Sequence, residues 1–510
     1  MDISKITTLG QLKKAGYRNR SVKEEIRENL IRKLKNKENT FPGILGYEDS
    51  VIPDTERALL SRHNILFLGL RGQAKTRMAR QMVELLDEYV PFVTGSEIND
   101  DPFRPISKFA RTLIAQKGDD TPVSWLHRGE RYGEKLATPD VSVADLIGDI
   151  DPIKAANLRL NFADEEVIHF GIIPKSNRGI FVINEIPDLQ ARIQVSLFNI
   201  LEEGDIQIRG FKLRMPLDIL FVFTANPEDY TNRGSIVTPL KDRIESQILT
   251  HYPKSIDTAL AITEQEADIH EEQKGRVVIS DLVKRLIEQV SFEARSSEYV
   301  DKKSGVSARL TIAAFENAVS AAERRAILNN EKETPVWMSD LVGIIPSITG
   351  KIELVYEGEQ EGPYQVAFNL LEKAFRSQFI SFFPNPDQLK KRKAENRDDN
   401  PLRPITHWFD KGNHLNLFFN TPDGEKIQQL YKVDGLHALV KKYFKHTNER
   451  EAALLMEFVL HGLAAYSLIS KKVVEGKIEF KDLIGSMVNL GSSGSNFGNE
   501  DEDIDSDDFN

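Results

Sequence analysis

Apolar residues along this chain change their spacing at a few places, and each change predicts a different kind of element. The run Ile65-Leu66-Phe67-Leu68 and the stretches 90–93, 179–183 and 218–224 are short and almost continuously apolar, as in strands buried on both faces. Between them apolar positions recur at helical spacing, as in 51–61 and 77–83. Alternation of this kind predicts a parallel α/β sheet, in which ligands gather beyond the carboxyl ends of the strands. After Pro253 the pattern becomes helical over 280–290, 308–328 and 366–383. Near the start, Ser21 and Glu24 form a capping-box signature ahead of Val22, Ile26, Leu30 and Leu34, which share one helix face.

These shifts divide the chain. Residues 1–40 form an N-terminal helical segment, 41–255 an α/β domain and 256–384 a helical domain. Residues 385–401 hold two prolines and a Lys-Lys-Arg-Lys run and are the expected linker. Residues 402–488 are a mixed unit of unassigned role, and 489–510 are a low-complexity acidic tail, expected to be disordered. Inside the α/β part lies an insertion over about residues 95–175, where 143–151 and 166–173 are candidates to pair as two strands. A second hairpin is expected around Gly210, where 206–209 and 211–214 alternate apolar and polar residues.

Composition narrows the class. A chain of 510 residues exceeds one ordinary core, and 40% hydrophobic with 28% charged residues fits a soluble globular protein. With no cysteine, thiolate metal sites and cysteine nucleophiles are excluded, and a cytoplasmic location is expected. The most apolar long segment, 452–469, carries Glu457 and His461 and reads as a buried or interface helix, not a membrane span. Glu457 and His461, four apart, read as a surface or interface pair. A net charge of −11 argues against nucleic acid as a partner.

Candidate chemistry centres on Gly69-Leu70-Arg71-Gly72-Gln73-Ala74-Lys75-Thr76, directly after the first apolar run. A strand that ends in a glycine-rich turn and reopens as a helix aims free N–H groups at one point, and Lys-Thr adds a cation and a magnesium-binding hydroxyl. Ala74 fits here if its backbone does not need a positive φ. A second strand, 180–183, ends in Asn184 and Glu185. Glu185 is placed to orient water or to sit in a strand-end salt bridge, and Asn184 stands where a magnesium-supporting Asp is usual. A third ends in Asn226, which either reaches the same edge or forms a turn before Pro227. Arg243 reads as an arginine finger or as half of a surface pair with Asp242, and Arg309 as a phosphate sensor at a helix start. The histidines lack metal-binding spacing.

Taken together, residues 41–356 resemble MoxR-type AAA+ ATPases and the related ATPase (I) subunit of magnesium chelatase. The resemblance is carried by Ala74-Lys75-Thr76, by Phe170-Gly171-Ile172-Ile173-Pro174 leading to Asn184-Glu185-Ile186, by Thr224-Ala225-Asn226-Pro227, by Asp242-Arg243 and by Ser307-Ala308-Arg309. It implies an AAA+ P-loop sheet with a helix-2 insert and a pre-sensor-1 hairpin, followed by an all-α lid. It also implies ATP and Mg²⁺ as cofactors, with Gly69, Gly72, Gln73, Ala74, Lys75, Thr76 and Arg309 on the nucleotide and Thr76 and Asn184 on the metal. Glu185, Asn226 and Arg243 are then catalytic. By the same resemblance the chain forms a homo-oligomeric ring, expected to be a hexamer, that remodels or matures a protein client with a von Willebrand A-type partner. Asn184 in place of Asp implies slow hydrolysis. A nucleotide-gated scaffold and a chelatase-type motor subunit for metal insertion are the alternative readings.

Overall fold

The computed structural model describes residues 3–161, 164–206, 215–227, 235–391 and 400–483. The chain divides into two compact units, Met1–Lys254 and Ser255–Asn510.

The first unit is built on a five-stranded, all-parallel sheet. Its strands are β1 (Ile65–Leu68), β2 (Tyr132–Leu136), β3 (Gly179–Asn184), β4 (Ile219–Ala225) and β5 (Ser246–Leu249), in the spatial order β5-β1-β4-β3-β2. Because successive side chains point to opposite faces, alternate residues serve two different cores. Phe67, Ile180, Val182, Leu220 and Val222 join one buried cluster, and Leu66, Phe181, Ile183, Phe221 and Phe223 join the other. Covering on both faces explains why the central strands read as unbroken apolar runs.

One expected strand lies elsewhere. Tyr89–Val93 pairs antiparallel with Val123–His127 in a separate two-stranded sheet, and β2 and β5 take the outer places in the parallel sheet. β2 reads Tyr-Gly-Glu-Lys-Leu and β5 Ser-Gln-Ile-Leu, and both are only partly buried. Edge strands are not covered on both sides, so they need no apolar run.

The N-terminal helix Val22–Lys35 starts at the Ser21–Glu24 capping box and buries Val22, Ile26 and Leu30 in the same cluster as Ile180 and Val222, while Leu34 is exposed. Of the two stretches expected to pair in the insertion, 143–151 and 166–173, Gly148–Ile150 and Ile168–Phe170 pair antiparallel, and Val143–Leu146 is helical. Asp205–Ile206 pairs with Met215–Pro216, and the intervening residues of the expected second hairpin lie outside the described residues.

The second unit contains the helices α2 (Asp281–Ser296), α3 (Arg309–Leu328), α4 (Pro363–Phe382) and α5 (Glu449–Ala465), with a three-stranded antiparallel sheet of Leu415–Phe418, Lys477–Lys481 and Ser470–Val474. The expected division between 256–384 and 402–488 separates residues that share one core. A single buried cluster runs from Leu286 and Ala318 through Phe375 and Phe379 to Phe409, Leu417, Phe458 and Phe480. Helices α4 and α5 approach so closely that a Cβ on Gly462 would stand 2.0 Å from the Phe379 ring. Pro386–Lys391 is helical, and the rest of the basic run and the acidic tail lie outside the described residues.

Glu457 and His461 are not a surface pair. Both are buried, and each has its own partner. Glu457 accepts the Met338 and Ser339 amides at 3.1 and 3.0 Å, and His461 stacks on Phe375 with Nδ1 3.1 Å from Lys471 Nζ. Carboxylates are seldom fully buried unless their hydrogen bonds are met, and here backbone donors meet them.

Candidate functional site

The turn after β1 leads into helix α1 (Lys75–Gln81). Gly72 has φ +71° and Ala74 has φ +54°. Ala74 therefore occupies the left-handed region, which the sequence reading made a condition against it, at a cost of roughly 1 kcal/mol relative to glycine. A Cβ on Gly69 would sit 1.9 Å from Thr250 Oγ1 and 2.3 Å from Gln73 Oε1, so a side chain there would displace this pair.

The turn is pinned from outside. Thr250 Oγ1 donates to Gln73 Oε1 at 2.6 Å, and Tyr252 Oη donates to Arg71 O at 2.9 Å. Tyr47 Oη lies 3.0 Å from Gln73 O and 2.9 Å from His251 O, and burial pushes its phenol up to about 12, so it remains a donor at neutral pH. A preset turn of this kind keeps its N–H groups converged without reorganisation.

The strand ends meet this turn as parallel-sheet geometry requires. Buried Lys75 donates Nζ to Gly69 O, to Leu70 O at 2.9 Å and to Asn226 Oδ1 at 2.7 Å. These three contacts hold the ammonium at the turn. Asn226 Nδ2 donates to Glu185 Oε2 at 2.6 Å. Glu185 has φ +56°, a left-handed backbone at the end of β3, and its N–H donates to Thr224 Oγ1 at 3.1 Å. On the other side of the strand end, Asn184 Oδ1 accepts from Thr76 Oγ1 at 3.2 Å and from Thr224 Oγ1 at 3.1 Å.

Lys75, Thr76, Asn184, Glu185 and Asn226 are thus brought together. The oxygens of Thr76 and Asn184 converge as a hard cation with oxygen ligands requires, and the turn presents backbone N–H groups and a lysine for phosphates, so the residues fit magnesium and a nucleoside triphosphate. Arg243 lies apart, with its guanidinium on Glu202 at 2.6 and 2.8 Å and 4.9 Å from the Phe198 ring centroid. Arg309 is exposed at the start of α3 in the second unit.

Two further groups escaped sequence reasoning. Thr224 bridges Asn184 and the Glu185 N–H, and its position one residue inside a strand end was the available signal. Glu134, on β2, accepts Asn184 Nδ2 at 2.6 Å, and its strand carried no apolar run to find it by. The Arg80 guanidinium holds the Glu134 carboxyl below the usual carboxylate range, with burial opposing it.

A parallel sheet in this order, with a phosphate-type turn after β1 and polar residues at the ends of β3 and β4, is an α/β arrangement of the P-loop type. Residues 161–248 match the Sigma-54 interaction domain. Over 207 residues the chain is 23% identical to the magnesium-chelatase 38 kDa subunit of Cereibacter sphaeroides, across 40% of this chain and 56% of that subunit, so it spans little more than half of that relative's length. Among solved structures, the complex of the BchI and BchD subunits of magnesium chelatase aligns over 63% of this chain and 98% of its own, at 18% identity and a TM-score of 0.32. A P216G mutant of Thermotoga maritima RuvB aligns over 66% of this chain and 77% of its own, at 11% identity and a TM-score of 0.34. Among the described residues no helix is long and apolar enough to cross a membrane, and no group of three or more His, Asp or Glu is arranged to hold a metal ion.

Proposed function

We propose that the first unit binds ATP with magnesium and hydrolyses it. The observation that carries this reading is the chain of contacts Lys75–Asn226–Glu185, which links the cation of the turn to a carboxylate at the neighbouring strand end. Lys75 meets phosphate charge, Thr76 and Asn184 offer oxygens to the metal, and Asn226 holds Glu185 where a carboxylate can take a proton from water. The magnesium ion, when bound, supplies charge stabilisation at the phosphates.

Arg243 is assigned to the site of a neighbouring copy in a homo-oligomeric ring, expected to be a hexamer. Its position beyond the end of β4, 28% exposed and anchored by Glu202 and Phe198, supports a pre-oriented finger. Arg309 is assigned to phosphate sensing. The ring's task is remodelling or maturing a protein client with a von Willebrand A-type partner, an assignment supported by family resemblance alone. The similarity to a magnesium-chelatase subunit supports a second reading, a motor subunit for metal insertion. The Asn184 amide supports a third, a nucleotide-gated scaffold with little turnover. Steady-state ATP turnover of the wild type beside Glu185→Gln separates the first from the third. A fall of about 10²-fold or more with nucleotide binding retained is expected, and equal rates overturn hydrolysis as the function.

A further inference from the structure

Asn184 stands where a carboxylate is usual, yet its amide makes a pair of contacts that a carboxylate could not. Its carbonyl oxygen accepts the Thr76 and Thr224 hydroxyls, and its Nδ2 donates to Glu134 Oε1 at 2.6 Å. An ionised carboxylate only accepts, so Glu134 selects the NH₂ end of the amide and turns the carbonyl end toward Thr76. Glu134 is itself fixed. Arg80 gives it two hydrogen bonds of 2.9 and 3.0 Å, and Tyr132 Oη gives a third of 2.8 Å.

Thr76 and Arg80 lie four apart on α1 and so share one helix face. The path Thr76, Asn184, Glu134, Arg80 therefore closes on itself through α1, β3 and β2. An aspartate at 184 would face the Glu134 carboxylate across the same 2.6 Å and break the ring by like-charge repulsion. The amide is what this ring requires, and the carboxylate sits one strand over.

We propose that Glu134 is a positioning residue for the magnesium side of the site, holding the Asn184 carbonyl oxygen toward Thr76; the assignment rests on the nucleotide-binding reading above. Residues behind metal ligands commonly change metal affinity about 10–100-fold when altered. The test uses the full chain and a fluorescent N-methylanthraniloyl ATP analogue, with binding followed in EDTA and across a MgCl₂ titration. Glu134→Gln, whose side-chain amide can present either end, is expected to raise the Mg²⁺ midpoint at least about tenfold while binding in EDTA is unchanged. The double variant Glu134→Gln with Asn184→Asp exchanges amide and carboxylate across the same contact, and it is expected to recover to within about threefold of the wild type. An unchanged midpoint in Glu134→Gln overturns the assignment. So does a midpoint that shifts but is not recovered by the exchange, because Glu134 would then serve only to anchor Arg80. If the wild type binds no analogue under either condition, the nucleotide reading itself falls, and Glu134 with it.

Discussion

Asn226 and Glu185 share a 2.6 Å hydrogen bond, and the same amide accepts the Lys75 ammonium through its other end. One neutral side chain therefore bridges a buried cation and a strand-end carboxylate. Asn226→Asp replaces the donor toward Glu185 with a second carboxylate and sets a further negative charge against Lys75. It is expected to weaken ATP-analogue binding by at least about tenfold, comparable with losing one charge-assisted contact. Equilibrium binding with the purified variant checks this, and unchanged affinity would show that Lys75 is not the phosphate-binding cation.

Ala74 carries a strained backbone that glycine would relieve. Ala74→Gly is expected to stabilise the first unit by about 0.5–1 kcal/mol, the left-handed penalty removed less the extra freedom of glycine in the unfolded chain. Denaturant melts followed in the first unit read the effect, and ATP-analogue affinity should remain within about twofold of the wild type.

Glu288 gives the second unit a pH dependence. Burial pushes its carboxyl up to about 7, against the opposing pull of the Thr263 hydroxyl at 2.6 Å, of Arg295 and of Thr311. A folded-state value above the ordinary 4.5 means that the protonated form is the one folding favours. Stability from this residue is full below about pH 4.5 and is lost as pH rises through about 7, up to roughly 3 kcal/mol in all. Glu288→Gln removes the ionisation. Its unfolding midpoint should exceed that of the wild type at pH 8 and converge with it near pH 4.5, as read by thermal or denaturant melts at the two pH values.

Arg325 is almost fully buried, and its charge is met by Asp423 at 2.7 Å and Asp340 at 3.0 Å. Asp423 also accepts Trp337 Nε1 at 2.8 Å and Thr334 Oγ1 at 2.9 Å. Asp423→Ala leaves a buried guanidinium short of one partner and the Trp337 indole N–H unmet, at an expected cost of about 3–5 kcal/mol. Chemical denaturation measures this directly, and a loss under about 1 kcal/mol would mean that water replaces the carboxylate.

What the sequence disclosed follows from which positions are buried. The strands β1, β3 and β4 were visible because both their faces are covered, and Lys75, Glu185 and Asn226 could be found as the residues just past their ends. β2 and β5 were not visible, because an edge strand keeps charged and polar residues, and Glu134 was hidden with β2. The run 90–93 misled for the converse reason: its apolar residues pack, but in an antiparallel pair outside the parallel sheet. Spacing alone suggests a surface or interface pair of Glu457 with His461, because the partners of Glu457, the Met338 and Ser339 amides, lie more than a hundred residues away in sequence. Backbone donors leave no trace in side-chain spacing.

The contact of Phe379 and Phe383 with Phe458 sets the physical boundary of the second unit. Their ring centroids lie 6.0 and 6.2 Å apart, which places the greasy seam between residues 256–391 and 400–483 at the centre of the unit and not at its margin. A protease that nicks the chain between residues 391 and 400 should therefore release nothing. The two pieces are expected to travel together through gel filtration and to come apart only in denaturant, as halves of one folded body held by their shared interior. Severing that covalent thread would test which of the two connections, peptide or packing, makes the unit.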